Sequence, residues 1–100
     1  AIEYYEQALV IDREIGDRQG EAISCWNLGV LLVQQGELPR AVELMQVSAD
    51  YYRSIDHPDA EKMATDVQSL RLFQKSVIVR SILRFLAWVG RLRAKIVYRK

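Results

Sequence analysis

The chain has 100 residues, half of them hydrophobic and 27% charged, with five Gly and two Pro. This is ordinary globular composition for one domain, with few breaks to interrupt long helices. The single cysteine, Cys25, excludes an internal disulfide framework, and the net charge of +1 hides an asymmetry: residues 1–74 carry all thirteen acidic residues and six basic ones, whereas residues 75–100 carry eight basic residues and no acidic one.

The first segment, residues 1–15, places Ile2, Tyr5, Ala8, Leu9, Ile11 and Ile15 close to a 3.6-residue period, which predicts an amphipathic helix. It opens inside that periodic pattern, as an excerpt of a longer chain would. Gly16 suits the left-handed conformation that ends a helix, and Asp17 suits the N-cap of the next. The second helix is expected to run to about Gln35 and stop at Gly36. Pro39 then marks the start of a third, where its missing N–H costs nothing. That helix is expected to end near Ser54, at the turn Asp56-His57-Pro58, because a residue before proline is biased away from helix. Asp59 and Glu61 open a fourth helix, favoured by its N-terminal partial positive charge. It is expected to reach about Gln74.

Residues 75–100 read as a fifth, basic helix. At 100° per residue, Arg80, Arg84, Arg91, Lys95 and Arg99 share one stripe. Ile78, Ile82, Phe85, Leu86, Val89, Leu92 and Ile96 lie opposite. Arg93 interrupts the apolar face, and Gly90 weakens the helix locally. Three roles compete for this segment: packing on the array or self-association through the apolar face, interfacial binding to an anionic membrane, and spanning. Trp88 and the basic residues suit the interfacial role. Spanning is the weakest, since the longest uncharged run is Phe85–Gly90 and a span needs about twenty apolar residues.

The chain also repeats itself. A shift of forty residues superimposes Ala1 on Ala41, Glu3 on Glu43, Arg13 on Arg53, Ile15 on Ile55 and Glu21 on Glu61. The first and third helices are thus two copies of one unit. Each helix pair is an αα-hairpin that cannot bury its apolar face alone.

The stretch Trp26-Asn27-Leu28-Gly29, followed by Leu32, Gly36, Ala41, Met45 and Ser48, resembles the tetratricopeptide repeat, as does the set Ala1, Tyr5 and Ala8. The forty-residue spacing is similar to the longer-helix repeats of kinesin light chains and bacterial regulatory proteins. Leu32 stands where the family has tyrosine, Met45 where it has an aromatic and Ser48 where it has alanine. The resemblance covers about residues 1–74: a half repeat over 1–18, a full repeat over 19–57 and a capping helix over 58–74. It implies an all-α fold of antiparallel helix hairpins stacked as a short α-solenoid, with about five helices once the basic tail is counted, at the C-terminal end of an array. In the fourth helix Gln68 and Ser69 stand where Leu28 and Gly29 did, and Asp66 replaces Trp26, as suits a degenerate cap.

The implied function is a scaffold or adaptor that holds a protein or peptide ligand in a concave groove. Carried over by position, the groove residues are Ile23, Trp26, Asn27, Val30, Val33 and Gln34. Trp26 is read either as an exposed anchor for a partner side chain or as a residue packed on the fourth helix or tail. Asn27 is read as a contact to a ligand's backbone or as a surface asparagine. The alternative function is a membrane-peripheral adaptor targeted by the tail, with Arg80, Arg84, Trp88, Arg91, Lys95 and Arg99 as contacts. A regulatory part of a larger multidomain signalling protein is a further reading.

Nothing in the residues points to catalysis. Cys25 is expected to be a buried structural thiol, and His57 lies in a turn, so no nucleophile–base pair or conventional zinc site is expected. No cofactor is implied, since no Gly-rich phosphate loop is present. Nucleic acid is disfavoured by the acidic first part. The expected location is cytoplasmic, with membrane association tied to the tail.

Overall fold

A computed structural model describes residues 1–97, with side chains described through Arg91. The described chain is all-helical: α1 (Ile2–Ile15), α2 (Arg18–Gln34), α3 (Leu38–Ser54) and α4 (Ala60–Val97). Each helix packs its backbone on its neighbours in sequence, α1 on α2, α2 on α3 and α3 on α4. The side-chain pairings run antiparallel: Ser24 Oγ donates to Asp12 Oδ2 at 3.1 Å, and Arg71 donates to the Gln46 amide oxygen at 3.2 Å.

The connections are three copies of one turn. Gly16, Gly36 and Asp56, spaced by twenty residues, all take positive φ, at 73°, 79° and 53°. In each turn the next residue's N–H reaches back five residues, Asp17 to Asp12, Glu37 to Leu32 and His57 to Tyr52, over 2.8–2.9 Å. The positive-φ residue itself donates to the carbonyl three residues back, that of Arg13, Val33 or Arg53. This is the Schellman motif, which satisfies the last carbonyls of a helix and turns the chain sharply. The starts are as local chemistry suggests. The Asp17 carboxylate accepts from Gly20 N–H at 2.9 Å, Pro39 lies in the first turn of α3, and His57 Nδ1 accepts from Asp59 N–H at 3.0 Å.

Two apolar clusters hold the helices together. One joins Leu9 of α1, Cys25, Leu28 and Leu32 of α2, and Ala41 and Leu44 of α3. The other joins Val42, Met45 and Ala49 of α3 to Met63 and Val67 of α4. Leu28 and Leu32 have almost no surface left in water, and burying each is worth about 1.5–3 kcal/mol. Gly29 sets the α2–α3 distance. A Cβ there would collide with Met45 Cγ and lie 3.2 Å from the Ala41 carbonyl oxygen.

The expected fifth helix is not a separate element. α4 runs for 38 residues through the boundary expected at residues 74 and 75, so the described residues form four helices rather than five. The twenty-residue turn spacing calls for a break near residue 76, but Ser76-Val77 stands there, with no glycine or proline between Asp59 and Gly90. The packing gives a second reason. The α2 face that receives α3 is Cys25, Leu28, Gly29 and Leu32, all buried; forty residues on stand Thr65, Gln68, Ser69 and Leu72, all exposed. Three of these four are polar, so the apolar seat that α2 offers α3 is not repeated on α4. Beyond Leu70 only Gln74 is even half-buried up to Arg91, so the second half of α4 projects from the array. The radius of gyration is 19.8 Å, against about 13 Å for a compact chain of this length.

Candidate functional groove

The face of α2 turned away from α1 looks across an open groove at α4, with α3 as its floor. Two adjoining hollows make up this groove. The first, of about 430 Å³, has Ile23, Trp26 and Asn27 on the α2 side and Lys62, Met63 and Asp66 on the α4 side. Tyr52 and His57 close its end, their rings edge-on at 4.9 Å between centroids. The second, of about 520 Å³, has Trp26, Val30, Val33 and Gln34 facing Asp66, Ser69 and Leu70, with Met45 beneath. Trp26 and Asp66 border both hollows and so mark the middle of the groove.

All six residues expected on the concave face therefore line this one groove. Ile23 and Val30 are exposed, whereas Trp26, Asn27 and Val33 are half-buried and Gln34 is exposed at the end. Trp26 stands between core and groove. Its ring packs on the Val42–Met45–Val67 cluster, yet it still borders both hollows. Val33 touches both clusters, so it ties the groove wall to the core.

The α4 wall escaped the sequence reading, although the signal for it was present. Shifting Ile23, Trp26 and Val30 by forty residues gives Met63, Asp66 and Leu70, which face them across the groove. The helix that reads as a degenerate cap is the second wall. The groove is apolar at the Val30–Leu70 end. At the Asn27–His57 end it carries mixed charge, with Asp59 and Asp66 beside Lys62.

The remaining candidates lie apart from the groove. Cys25 is fully buried between α2 and its neighbours, and burial pushes its thiol up in pKa, against the opposing pull of Arg13. Such a thiol is held protonated and weakly nucleophilic. Among the described residues no three His, Cys, Asp or Glu side chains converge on a metal-sized space. On the free part of α4, Arg80, Arg84 and Arg91 are exposed, and Trp88 lies 6.1 Å from Phe85 between ring centroids. Lys95 falls on the α4 backbone beyond the described side chains, and Arg99 lies outside the described residues. No described helix is long and apolar enough to cross a membrane.

Neither a protein-family model, nor a curated protein, nor a solved structure matches this chain.

Proposed function

We propose that residues 1–74 form a tetratricopeptide-like array that holds a protein or peptide segment in the α2–α4 groove. The observation that carries this reading is the convergence of Ile23, Trp26, Asn27, Val30, Val33 and Gln34 on one wall of a single groove. Three identical turns at twenty-residue spacing and the forty-residue repeat of helices support the family likeness. The chemistry of the groove describes its ligand. An apolar side chain fits between Trp26, Val30 and Leu70, and a cationic or hydrogen-bond-donating group fits beside Asp66 and Asp59. Asn27 offers a carbonyl and an amide to a ligand's backbone. Trp is among the residue types enriched at binding hot spots. The reading is of a binding module rather than an enzyme, in a cytoplasmic setting suited to its one buried thiol.

The test selects binders from a displayed peptide library on the intact chain and measures them on two variants. Trp26→Ala with Val30→Ala removes the apolar anchor. Asp66→Lys, at an exposed position, changes the charge without touching the core. The double variant is expected to bind on the order of 30-fold more weakly, as for loss of about 2 kcal/mol at a hot spot. Asp66→Lys is expected to weaken cationic peptides selectively while leaving the thermal midpoint in place. Selected peptides that bind both variants as tightly as the parent would remove the groove assignment.

A further inference from the structure

The free half of α4 is a surface that the groove does not use. From Leu72 to Arg91 the helix extends about 30 Å beyond its contacts with α3. Ile78, Ile82, Phe85 and Leu86 each leave more than half their surface in water, as does Trp88. An apolar face of this size on a soluble rod marks an interaction site. The array does not cover it: the α4 face that would receive a folded-back helix carries Thr65, Gln68, Ser69 and Leu72, three of them polar and all exposed.

We propose that this half-helix is a docking surface for an anionic lipid bilayer, on which it lies rather than through which it passes. This is independent of the groove. Two features have to be satisfied together, the wide apolar arc and the charge. Residues 75–100 hold eight basic residues and no acidic one. A second copy of the helix would cover the apolar arc but bring only like charge, with no carboxylate for the interhelical ion pairs that steer such association. The acidic array of a second copy would answer the charge, but its exposed apolar row on α1, Tyr4, Ile11 and Ile15, is only about 40° wide against about 100° for the α4 arc. An anionic bilayer surface supplies both phases at once.

The arrangement of residues fits that surface. Arg80, Arg84 and Arg91 are four and seven residues apart, so they fall within roughly 40° of one another around the helix. Ile78, Ile82, Phe85, Leu86 and Val89 fall within roughly 100° on the far side. With the apolar arc at the headgroup–acyl boundary, the aliphatic stems of the arginines reach up and their guanidinium groups meet lipid phosphates. Trp88 flanks the arginine stripe, at the depth where an indole has both apolar and hydrogen-bonding surroundings. The helix has no stretch apolar enough to span. Residues 1–74 carry net −7, from thirteen acidic against six basic residues, so an anionic surface repels the array and leaves the groove facing water.

The test uses the whole chain with vesicles of phosphatidylcholine alone and of phosphatidylcholine mixed with phosphatidylserine. Sedimentation is expected to pull the chain down with the mixed vesicles, less so as salt is raised, and not with the neutral ones. Arg80→Gln, Arg84→Gln and Arg91→Gln together are expected to weaken that binding on the order of 100-fold. With Trp26→Phe as background, Trp88 becomes the one tryptophan, and its emission is expected to shift to the blue on binding. Equal binding to neutral vesicles, or none to either, would overturn the proposal. So would a stable dimer in solution that Ile82→Glu dissolves and that shows no vesicle binding, since a second copy would then be the occupant.

Discussion

Ser48 shows how tightly α3 is gripped. Its side chain is fully buried, and its hydroxyl has no hydrogen-bond partner among the described groups. It stands where the tetratricopeptide pattern has alanine, whose methyl has no polar atom to satisfy. A buried hydroxyl left unpaired costs about 1–3 kcal/mol. Ser48→Ala is therefore expected to stabilise the chain by about 1 kcal/mol. A urea titration checks it: the midpoint is expected to rise with the slope unchanged, and a fall would mean that Ser48 has a partner. Residue chemistry of this kind was partly open to the sequence. The small side chains at Gly29 and Ala41 and the burial of Cys25 follow from position in the repeat. The unpaired Ser48 hydroxyl does not, since it depends on what surrounds it in three dimensions.

At the scale of elements, the turns do most to specify the fold. Gly16 and Gly36 take positive φ freely, while Asp56 takes it at a cost that a Cβ imposes. Asp56→Gly is expected to raise stability by up to about 1 kcal/mol, and Gly36→Ala to lower it by about 1–2 kcal/mol. Thermal melts of both variants decide this, and a stabilised Gly36→Ala would contradict the turn geometry. The same logic explains what was and was not legible. The first three helices end where glycine, aspartate and proline mark them, so their limits could be read to within a residue or two. The abrupt change in charge at Lys75 looks like an element boundary, yet charge does not end a helix. What ends one is a residue that leaves helical φ/ψ and satisfies the last carbonyls, and Ser76-Val77 does neither. The missing turn at residue 76 was visible once the spacing of Gly16, Gly36 and Asp56 was known.

For the whole molecule, an acidic array and a basic rod share one continuous helix. The first half of α4 closes the core through Met63 and Val67, walls the groove through Asp66 and Leu70, and then leaves the array. The α2 wall could be read from the repeat pattern because its residues keep the pattern's spacing. The α4 wall was hidden because its residues, Asp66 above all, depart in type while keeping the position. Under the two proposals, groove and rod are separate surfaces, one for a protein segment and one for a lipid surface, on one continuous α4. Backbone and indole chemical-shift mapping with a selected peptide tests the groove. Shifts are expected at Trp26, Asn27, Val30, Asp66 and Leu70, with the free half of α4 unmoved. Shifts confined to α1 or to residues beyond Leu72, with Trp26 and Asp66 unchanged, would contradict it.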